Sequence, residues 1–294
     1  MIPRSFEYHD PTSLPEILTL LARYGEGAKV MAGGQSLLPM MKLRLASPAR
    51  IIDLWRVAGL DDIREAEGEL RIGARATHRA LEDSELLRRR CPLLARAAEV
   101  IGDVQVRNLG TIGGAVAHAD PAADYTPVLL ALGARLVLRS AKGERVVAAA
   151  DFFQGLFQTA LGPTEMVTEV RVPVLGEGAG WEYLKLSRRA SDFALVSVAV
   201  LLGQNGGDRL DTAAVVLGAV APSPFRATDV ENALRGRRLE AGAAAEAARA
   251  TRLGPETPSD VHADAAYRRE VAPVCVRRAL EAAMARMTPE GGKR

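Results

Sequence analysis

The sequence predicts an α+β fold that is divided into two domains. Its 294 residues are more than one typical core accommodates and suit two or three modest domains. The glycine-rich segment at 176–180 changes the composition sharply and is typical of a linker or turn between domains. After it, predicted strands come first and helices follow, which favours an α+β arrangement over alternating βαβ units.

In the part before the linker, helices and strands are mixed. A helix is predicted from Leu14, because Ser13 and Glu16 fit a capping box and apolar residues recur at helical spacing as far as Gly25. The later elements, in order, are a strand at 29–31, a helix at 37–45, strands at 51–54 and 70–73, helical segments within 77–101, a long loop at 102–124, strands at 135–140 and 145–149, and a strand at 167–172.

The part after the linker begins with predicted strands at 181–187, 194–203 and 210–219. The turn residues at 204–208 are typical of a hairpin between the last two. Thr228 and Glu231 fit a second capping box. Helices are then predicted at 228–235, 240–252 and 264–286, with Pro273 bending the last.

The composition, 48% hydrophobic and 25% charged, is that of an ordinary globular protein. The longest apolar stretches, at 128–138 and 194–203, reach about half of the ~20 residues that a membrane span needs, so no span is predicted. The first residues lack the apolar core of a signal peptide, which predicts a cytoplasmic location. A net charge of +2 without a basic block argues against a nucleic-acid partner.

The chain has two cysteines, Cys91 and Cys275, which we expect to be free thiols. An iron–sulfur cluster needs about four thiolates, so any such cluster would lie in another chain. No metal ligand or catalytic residue is predicted, because a serine–histidine–aspartate context and paired metal-site spacing are both absent around the four histidines, which are His9, His78, His118 and His262.

Two glycine-rich loops are the candidate ligand-binding motifs of the sequence. The first, AGGQS at 32–36, lies between a predicted strand and a predicted helix. Paired glycines let several backbone N–H groups turn toward one point, where a phosphate or pyrophosphate can bind. By itself this pattern is more typical of a tight strand-to-helix turn, and it matches neither the Rossmann nor the P-loop signature.

The second loop, TIGGA at 111–115, again combines a hydroxyl residue with a glycine pair. Two such loops could close on one diphosphate. Asp124 follows at the start of a predicted helix, where its carboxylate could accept hydrogen bonds from sugar hydroxyls. Its alternative role there is an N-cap.

Three segments in order closely resemble the FAD-binding medium subunits of the molybdenum hydroxylases, the family of carbon monoxide dehydrogenase and xanthine dehydrogenase. They are AGGQSLLPMMKLRLASPARIIDL (32–54), IGDVQVRNLGTIGGAVAHADPAADY (101–125) and YLKLSRRASDFALVSVAV (183–200). The resemblance reaches to about residue 286 and is specific for the family, not for a substrate.

The resemblance implies an FAD-binding domain of the vanillyl-alcohol-oxidase (PCMH) type over 1–176, built from two α/β subdomains that meet near residue 57. A smaller C-terminal α+β domain, like that of the carbon monoxide dehydrogenase flavoprotein, follows over 177–286, and 287–294 form a tail.

The resemblance also implies partners. The flavin subunit joins a molybdopterin-binding large subunit and a [2Fe–2S] small subunit, as a dimer of heterotrimers. The molybdenum cofactor and the clusters are held only by those partners, which agrees with the few cysteines. Electrons from the clusters pass via FAD to NAD or another acceptor.

For the nucleotide end of FAD, the resemblance implies that backbone N–H groups of 32–36 and 111–115 wrap the pyrophosphate. Ile101 would lie against the adenine, and Asp124 would bind hydroxyls of the sugar or ribitol. Val167 would flank the cofactor, although a strand-core valine is equally compatible with its sequence.

For the flavin end, Lys185 would reach the ring, where a cation favours the reduced form. Phe193 would cover the isoalloxazine. The alternative for Lys185 is a position on a solvated strand face, and the alternative for Phe193 is a core aromatic residue. No residue for covalent attachment can be identified, so the FAD is expected to be non-covalent. The complete set of expected FAD contacts is Val30, Met31, Ala32, Gly33, Gly34, Gln35, Ser36, Leu37, Ile101, Thr111, Gly113, Gly114, Ala115, Asp124, Val167, Lys185 and Phe193.

Two positions depart from the family pattern: Ala115 stands where many relatives carry Asn or Ser, and Gln35 where His is common. They leave open a flavin-free structural subunit. A medium subunit of the carbon monoxide dehydrogenase type is the main expectation, with a xanthine, aldehyde or heterocycle dehydrogenase subunit as the alternative. A self-contained flavin oxidase is disfavoured, because no catalytic base is evident. The absence of a clustered-cysteine insertion argues against the benzoyl-CoA reductase branch.

Overall fold

The structure, a computed structural model, describes residues 2–204, 209–238, 240 and 242–287. Three sheets of three strands or more follow one another along this part of the chain, with helices packed around them. The predicted α+β fold is confirmed. Residues 205–208 of the predicted hairpin turn and 288–294 of the predicted tail lie outside the described residues.

The first sheet is parallel, with strand order β1-β3-β2. Its region consists of β1 (Glu7–His9), α1 (Leu14–Tyr24), β2 (Ala28–Met31), α2 (Leu37–Lys42) and β3 (Arg50–Asp53). Helix α1 buries Ile17 and Leu21 against the sheet. The predicted capping box is wrong: Ser13 makes no side-chain cap, and Glu16 instead accepts the N–H of Thr12 at 2.9 Å.

The second sheet is antiparallel, with strand order β4-β5-β10-β6-β7. Its strands are β4 (Ile63–Ala66), β5 (Glu69–Gly73), β6 (Arg135–Ser140), β7 (Gly143–Ala148) and β10 (Met166–Pro173). The intervening elements are α3 (His78–Asp83), α4 (Glu85–Arg90), α5 (Pro92–Glu99), α6 (Val104–Leu109), α7 (Ile112–His118), α8 (Tyr125–Ala131), α9 (Ala149–Phe152), β8 (Phe153–Gly155) and β9 (Gln158–Thr159). Apolar residues of this sheet and of its helices form one continuous core.

The predicted long loop at 102–124 is wrong, because it contains α6 and α7. Asp103 caps α6 by accepting the N–H of Val106 at 2.8 Å, and Thr111 caps α7 by accepting the N–H of Gly114 at 3.1 Å. The glycine pair inside α7 concealed the helix from a reading of propensities.

The third sheet is antiparallel, with strand order β11-β12-β13-β14. Its region consists of β11 (Gly180–Leu186), β12 (Val196–Gly203), β13 (Thr212–Gly218), β14 (Phe225–Arg226), α10 (Thr228–Leu234), α11 (Ala243–Ala248) and α12 (Ala265–Arg286). The second predicted capping box is also wrong. Ala227 occupies the N-cap of α10, and Glu231 accepts hydrogen bonds from the Val215 N–H and the Arg226 side chain.

Both faces of the third sheet are covered. Helix α12 packs against β11 and β12 on one face, where Val198 and Val200 are buried. On the other face, Tyr183 and Ala199 belong to the core of the second sheet, and α8 packs against β12 and β13. This packing sets the start of α8 against β11, where charged residues of the two regions meet.

Candidate functional site

The loop at 32–36 connects β2 to α2 and is half-buried. Gly34 has a φ of +68°, which residues with a side chain rarely adopt. The backbone N–H groups of Gly33, Gly34, Gln35 and Ser36 donate to no acceptor among the described residues. Several backbone donors without an internal acceptor on one short loop suit the binding of an anionic group.

The second glycine pair lies within α7, and its backbone donors are already paired. The Gly113 N–H donates to the Ala74 carbonyl at 2.9 Å, the Gly114 N–H to the Thr111 hydroxyl at 3.1 Å, and the Ala115 N–H to the Thr111 carbonyl at 3.0 Å. This differs from the expectation that these N–H groups are free for a ligand. The Thr111 hydroxyl hydrogen has no acceptor within the described part of the chain and remains available.

Glycine at position 33 brings the two loops into contact. A Cβ built there would overlap the Leu109 carbonyl oxygen and would lie 2.5 Å from the Leu109 carbonyl carbon and 2.8 Å from the Cα of Gly110. Leu109 and Gly110 directly precede Thr111, so the first loop touches the start of the second. The free donors of the first loop therefore lie beside the cap of α7.

Asp124 and Lys185 form a buried ion pair. The Lys185 ammonium lies 3.1 Å from Asp124 Oδ2, and the two side chains are 5% and 6% exposed. Lys185 also donates to the Val100 carbonyl at 3.0 Å, and the Tyr183 hydroxyl donates to Asp124 Oδ1 at 2.7 Å. Asp124 occupies the N-cap position of α8, as its alternative role predicted, but its side chain makes no cap hydrogen bond. The solvated strand face is wrong for Lys185.

Burial and the neighbouring side chains have opposite effects on the pKa of Asp124. Burial raises the pKa of Asp124, whereas the Lys185 charge and the Tyr183 hydroxyl act to lower it. Burial and the Asp124 charge raise the pKa of Tyr183 well above its ordinary value, so its hydroxyl keeps its proton and serves as a donor.

A second buried polar pair lies next to Asp124 in the chain. The Tyr125 hydroxyl is 3.1 Å from His78 Nδ1. Burial lowers the pKa of His78 to about 4, with the Arg107 charge adding to the effect, so the ring is neutral at pH 7. A Cβ on Gly110 would lie 2.6 Å from His78 Nε2, which places this pair under the turn that touches Gly33.

The other predicted contacts have different surroundings. Ile101 is half-buried and directly follows Val100, whose carbonyl holds Lys185. Val167 is buried in the core of the second sheet. Phe193 is not a core aromatic residue, because it is 63% exposed and borders a cavity of about 170 Å³ that Arg188 and His262 also line.

Tyr183 and the Val100 carbonyl are site groups that sequence reasoning missed. A signal for Tyr183 was present, because it lies two positions before Lys185 on a predicted strand, and such residues share a face. No sequence signal pointed to the Val100 carbonyl.

These groups fit the FAD that the sequence implies. Unpaired N–H groups suit a pyrophosphate, and one N–H of Lys185 remains without an acceptor among the described residues. Within those residues, no cluster of His, Cys, Asp and Glu could hold a metal ion. No helix in the described part is long and apolar enough to cross a membrane.

Two family models match the chain. Residues 4–175 match the FAD binding domain in molybdopterin dehydrogenase, and residues 181–283 match the C-terminal domain of the CO dehydrogenase flavoprotein. Among curated proteins, the chain is 41% identical over 286 residues to the carbon monoxide dehydrogenase medium chain of Hydrogenophaga pseudoflava, covering 97% of this chain and 99% of that protein. It is 39% identical over 281 residues to the glyceraldehyde dehydrogenase medium chain of Sulfolobus acidocaldarius, covering 96% and 99%.

Two solved structures superpose closely on this chain. A chain in the carbon monoxide dehydrogenase of Hydrogenophaga pseudoflava that lacks the Mo-pyranopterin moiety of its cofactor superposes with a TM-score of 0.93 at 42% identity, covering 98% of this chain and 100% of that one. A chain of quinoline 2-oxidoreductase from Pseudomonas putida 86 gives a TM-score of 0.91 at 34% identity, with coverage of 98% and 100%.

Proposed function

The chain belongs to the family of FAD-binding subunits of the molybdenum hydroxylases, and from this premise we propose that it passes electrons from the [2Fe–2S] clusters of a partner subunit, via FAD, to NAD or another acceptor. Membership follows from the family models and from 41% identity over 97% of the chain. The chain is thus a flavoprotein component of an oxidoreductase, and the predicted cofactor, FAD, is confirmed.

The observation that carries the site assignment is the set of four N–H groups from Gly33 to Ser36 that find no acceptor in the described part of the chain, on a loop that contacts Leu109 and Gly110 just before α7. In this proposal they bind the pyrophosphate, and the Thr111 hydroxyl adds a donor. When bound, FAD supplies reversible uptake and release of electron pairs. The protein supplies position, charge and access.

The Asp124–Lys185 pair has the second role. In the proposal, Asp124 accepts hydrogen bonds from FAD hydroxyls, and Lys185 offers its remaining N–H to the flavin end. A fixed cation beside the ring favours the reduced cofactor, and its burial strengthens the effect because water screens it less. Ile101 and Val167 contribute apolar contacts.

We extend the proposal to organisation and partners. An FAD-binding domain spans 1–176, with subdomains meeting near residue 57, a second domain spans 177–286, and 287–294 form a tail. The partners are a molybdopterin-binding large subunit and a [2Fe–2S] small subunit, in a dimer of heterotrimers located in the cytoplasm. The matched relatives are named as medium chains or subunits, which supports such a complex.

A medium subunit of the carbon monoxide dehydrogenase type is the specific proposal. Two carbon monoxide dehydrogenase medium chains, at 41% and 40% identity over 97% of the chain, support it. The glyceraldehyde dehydrogenase medium chain at 39% and a nicotine 6-hydroxylase medium subunit at 35% keep the aldehyde and heterocycle alternatives open. Substrate choice is expected to reside in the large subunit.

The acceptor is proposed to approach beside Phe193, whose exposed ring borders a cavity that Arg188, Asp192 and His262 also line, with the Arg188 guanidinium 3.2 Å from His262 Nδ1. A reoxidation assay on protein reduced under anaerobic conditions tests this. The reduced flavoprotein is mixed with NAD, oxygen or an artificial dye, and recovery of the visible flavin bands is followed. An Arg188→Gln variant should slow recovery with anionic acceptors more than with cationic dyes.

The decisive test of the function is the visible spectrum of the purified chain after incubation with FAD and desalting. Retained flavin bands are expected. Metal analysis of the co-purified complex should then find molybdenum and iron in partner chains, whereas a self-contained flavin oxidase would purify without them.

The second candidate is a flavin-free structural subunit. Its one supporting observation is that the α7 backbone donors are already paired within the protein, whereas the match to an FAD-binding family model stands against it. A folded but colourless chain that gains no flavin when its partner subunits are present would establish it and refute the FAD role.

A further inference from the structure

We propose that Tyr183 is a positioning residue for FAD: its hydroxyl fixes the Asp124 carboxylate in the orientation in which it holds Lys185 and receives the cofactor. The inference rests on the proposed FAD site and names the group that assembles it. Tyr183 was not among the residues that the sequence singled out.

A chain of hydrogen bonds holds the Asp124 carboxylate in place. Tyr183 donates to Asp124 Oδ1 at 2.7 Å, Lys185 donates to Asp124 Oδ2 at 3.1 Å, and Lys185 donates again to the Val100 carbonyl at 3.0 Å. Each carboxylate oxygen thereby has one donor from the protein and keeps lone-pair capacity for another. The carboxylate cannot turn without breaking one of these bonds.

The strand that carries both donors is held in a hydrogen-bonded sheet. Tyr183 and Lys185 lie at i and i+2 on β11, where they pair in register with Ala199 and Ser197 of β12. They therefore approach Asp124 from one face of a hydrogen-bonded sheet. Asp124 comes from the other region of the chain, so the Tyr183 bond also fixes where β11 meets α8.

Burial of the Tyr183 hydroxyl costs free energy unless a hydrogen bond compensates it. Tyr183 is 1% exposed and belongs to an apolar core. A phenylalanine would fill the same space without burying a polar group, and a buried hydroxyl is compensated only by its hydrogen bond. Its bond to Asp124 is therefore the feature that a phenylalanine could not supply.

The pH dependence of FAD binding is expected to follow the protonation of Asp124. The titratable groups facing Asp124 are Lys185 and Tyr183 from β11 and Tyr125 from α8. Tyr125 directs its hydroxyl to His78 instead. Removal of the Tyr183 hydroxyl leaves Lys185 as the one side chain that opposes the effect of burial, which raises the pKa of Asp124. The carboxylate then takes up a proton at higher pH and releases Lys185.

The experiment compares Tyr183→Phe with Tyr125→Phe in the full chain. Both tyrosines are fully buried and both lose one hydroxyl, but only Tyr183 bonds Asp124. The FAD dissociation constant is measured by flavin fluorescence from pH 5 to pH 8. Tyr183→Phe should weaken binding about tenfold or more and should move its acid midpoint to higher pH. Tyr125→Phe should keep the wild-type midpoint.

Asp124→Asn serves as the limiting case, because it cannot titrate. Its weakened FAD binding should be independent of pH over the same range, and a persisting acid midpoint in this variant would overturn the inference even if Tyr183→Phe did not fold. Thermal unfolding without FAD checks that the two tyrosine variants are comparably folded. His78 stays neutral above about pH 4 and cannot supply the midpoint.

The outcomes separate the two claims. If the wild-type chain and its reconstituted complex bind no FAD, the proposed function fails and this inference with it. If the wild-type chain binds FAD but the two tyrosine variants share one dissociation constant and one pH profile, the function stands and Tyr183 is only a core residue.

Discussion

Substitution of Gly33 by alanine is the sharpest test of the first loop. The added methyl would overlap the Leu109 carbonyl oxygen and lie 2.5 Å and 2.8 Å from two further backbone atoms. No side-chain rotation relieves this overlap, so the loop must move away from the end of α6 and from Gly110. Overpacking of this kind costs about 1–3 kcal/mol. If that strain opposes the FAD-binding arrangement, affinity falls by roughly 5- to 150-fold.

The assay is the flavin content after desalting, together with the FAD dissociation constant. Gly176→Ala is the matched control, because no heavy atom lies within 4 Å of its added methyl and its φ is not in the left-handed region. Gly114→Ala should fall between the two, since its methyl meets only the Thr111 hydroxyl, at 2.9 Å. Equal FAD affinity in Gly33→Ala and Gly176→Ala would refute the reasoning about the loop.

Three further predictions concern stability. Arg268→Leu should lower the free energy of unfolding by about 3 kcal/mol in urea titrations, because the buried guanidinium donates to two backbone carbonyls and to Asp260; an unchanged midpoint would contradict this. His78 takes up a proton in the unfolded state near pH 6.5 but in the fold only near 4, so its contribution is complete above pH 6.5 and declines as pH falls from 6.5 to 4, and His78→Gln should flatten that part of the stability profile. Lys185→Met should destabilise the chain at pH 7 by leaving Asp124 as a buried charge, and the added Asp124→Asn change should restore part of the loss; a purely additive double variant would argue against the ion pair.

Much of the architecture was accessible from the sequence, because strand residues such as those of β12 and β13 form apolar runs bounded by turn residues. The helices α6 and α7 were not, since glycines and short length hide their periodicity, and their caps are visible only in the structure. Both predicted capping boxes are wrong, because neither glutamate accepts the N–H of its helix's N-cap residue. Glu16 accepts the N–H of Thr12, and Glu231 accepts from the Val215 N–H and the Arg226 side chain.

The candidate site, like the fold, was only partly predictable from the sequence. Motif spacing pointed to both loops, to Asp124 and to Lys185. It could not reveal that Asp124 and Lys185 bond each other, because their 61-residue separation is closed only by the packing of α8 on the third sheet. Nor could it reveal which backbone N–H groups are free, since that depends on acceptors such as the Ala74 carbonyl.

The strand order of the second sheet has a consequence for how the protein is made. Its middle strand, β10, is the last of the five to leave the ribosome, and it must insert between β5 and β6. The ion pair between Arg64 and Glu169 joins positions 105 residues apart. At synthesis rates of about 5–20 residues per second, β5 waits on the order of ten seconds for β10 to pair with it. During that interval the nascent chain presents two unpaired strand edges, so low temperature or chaperone co-expression should raise the yield of recombinant protein.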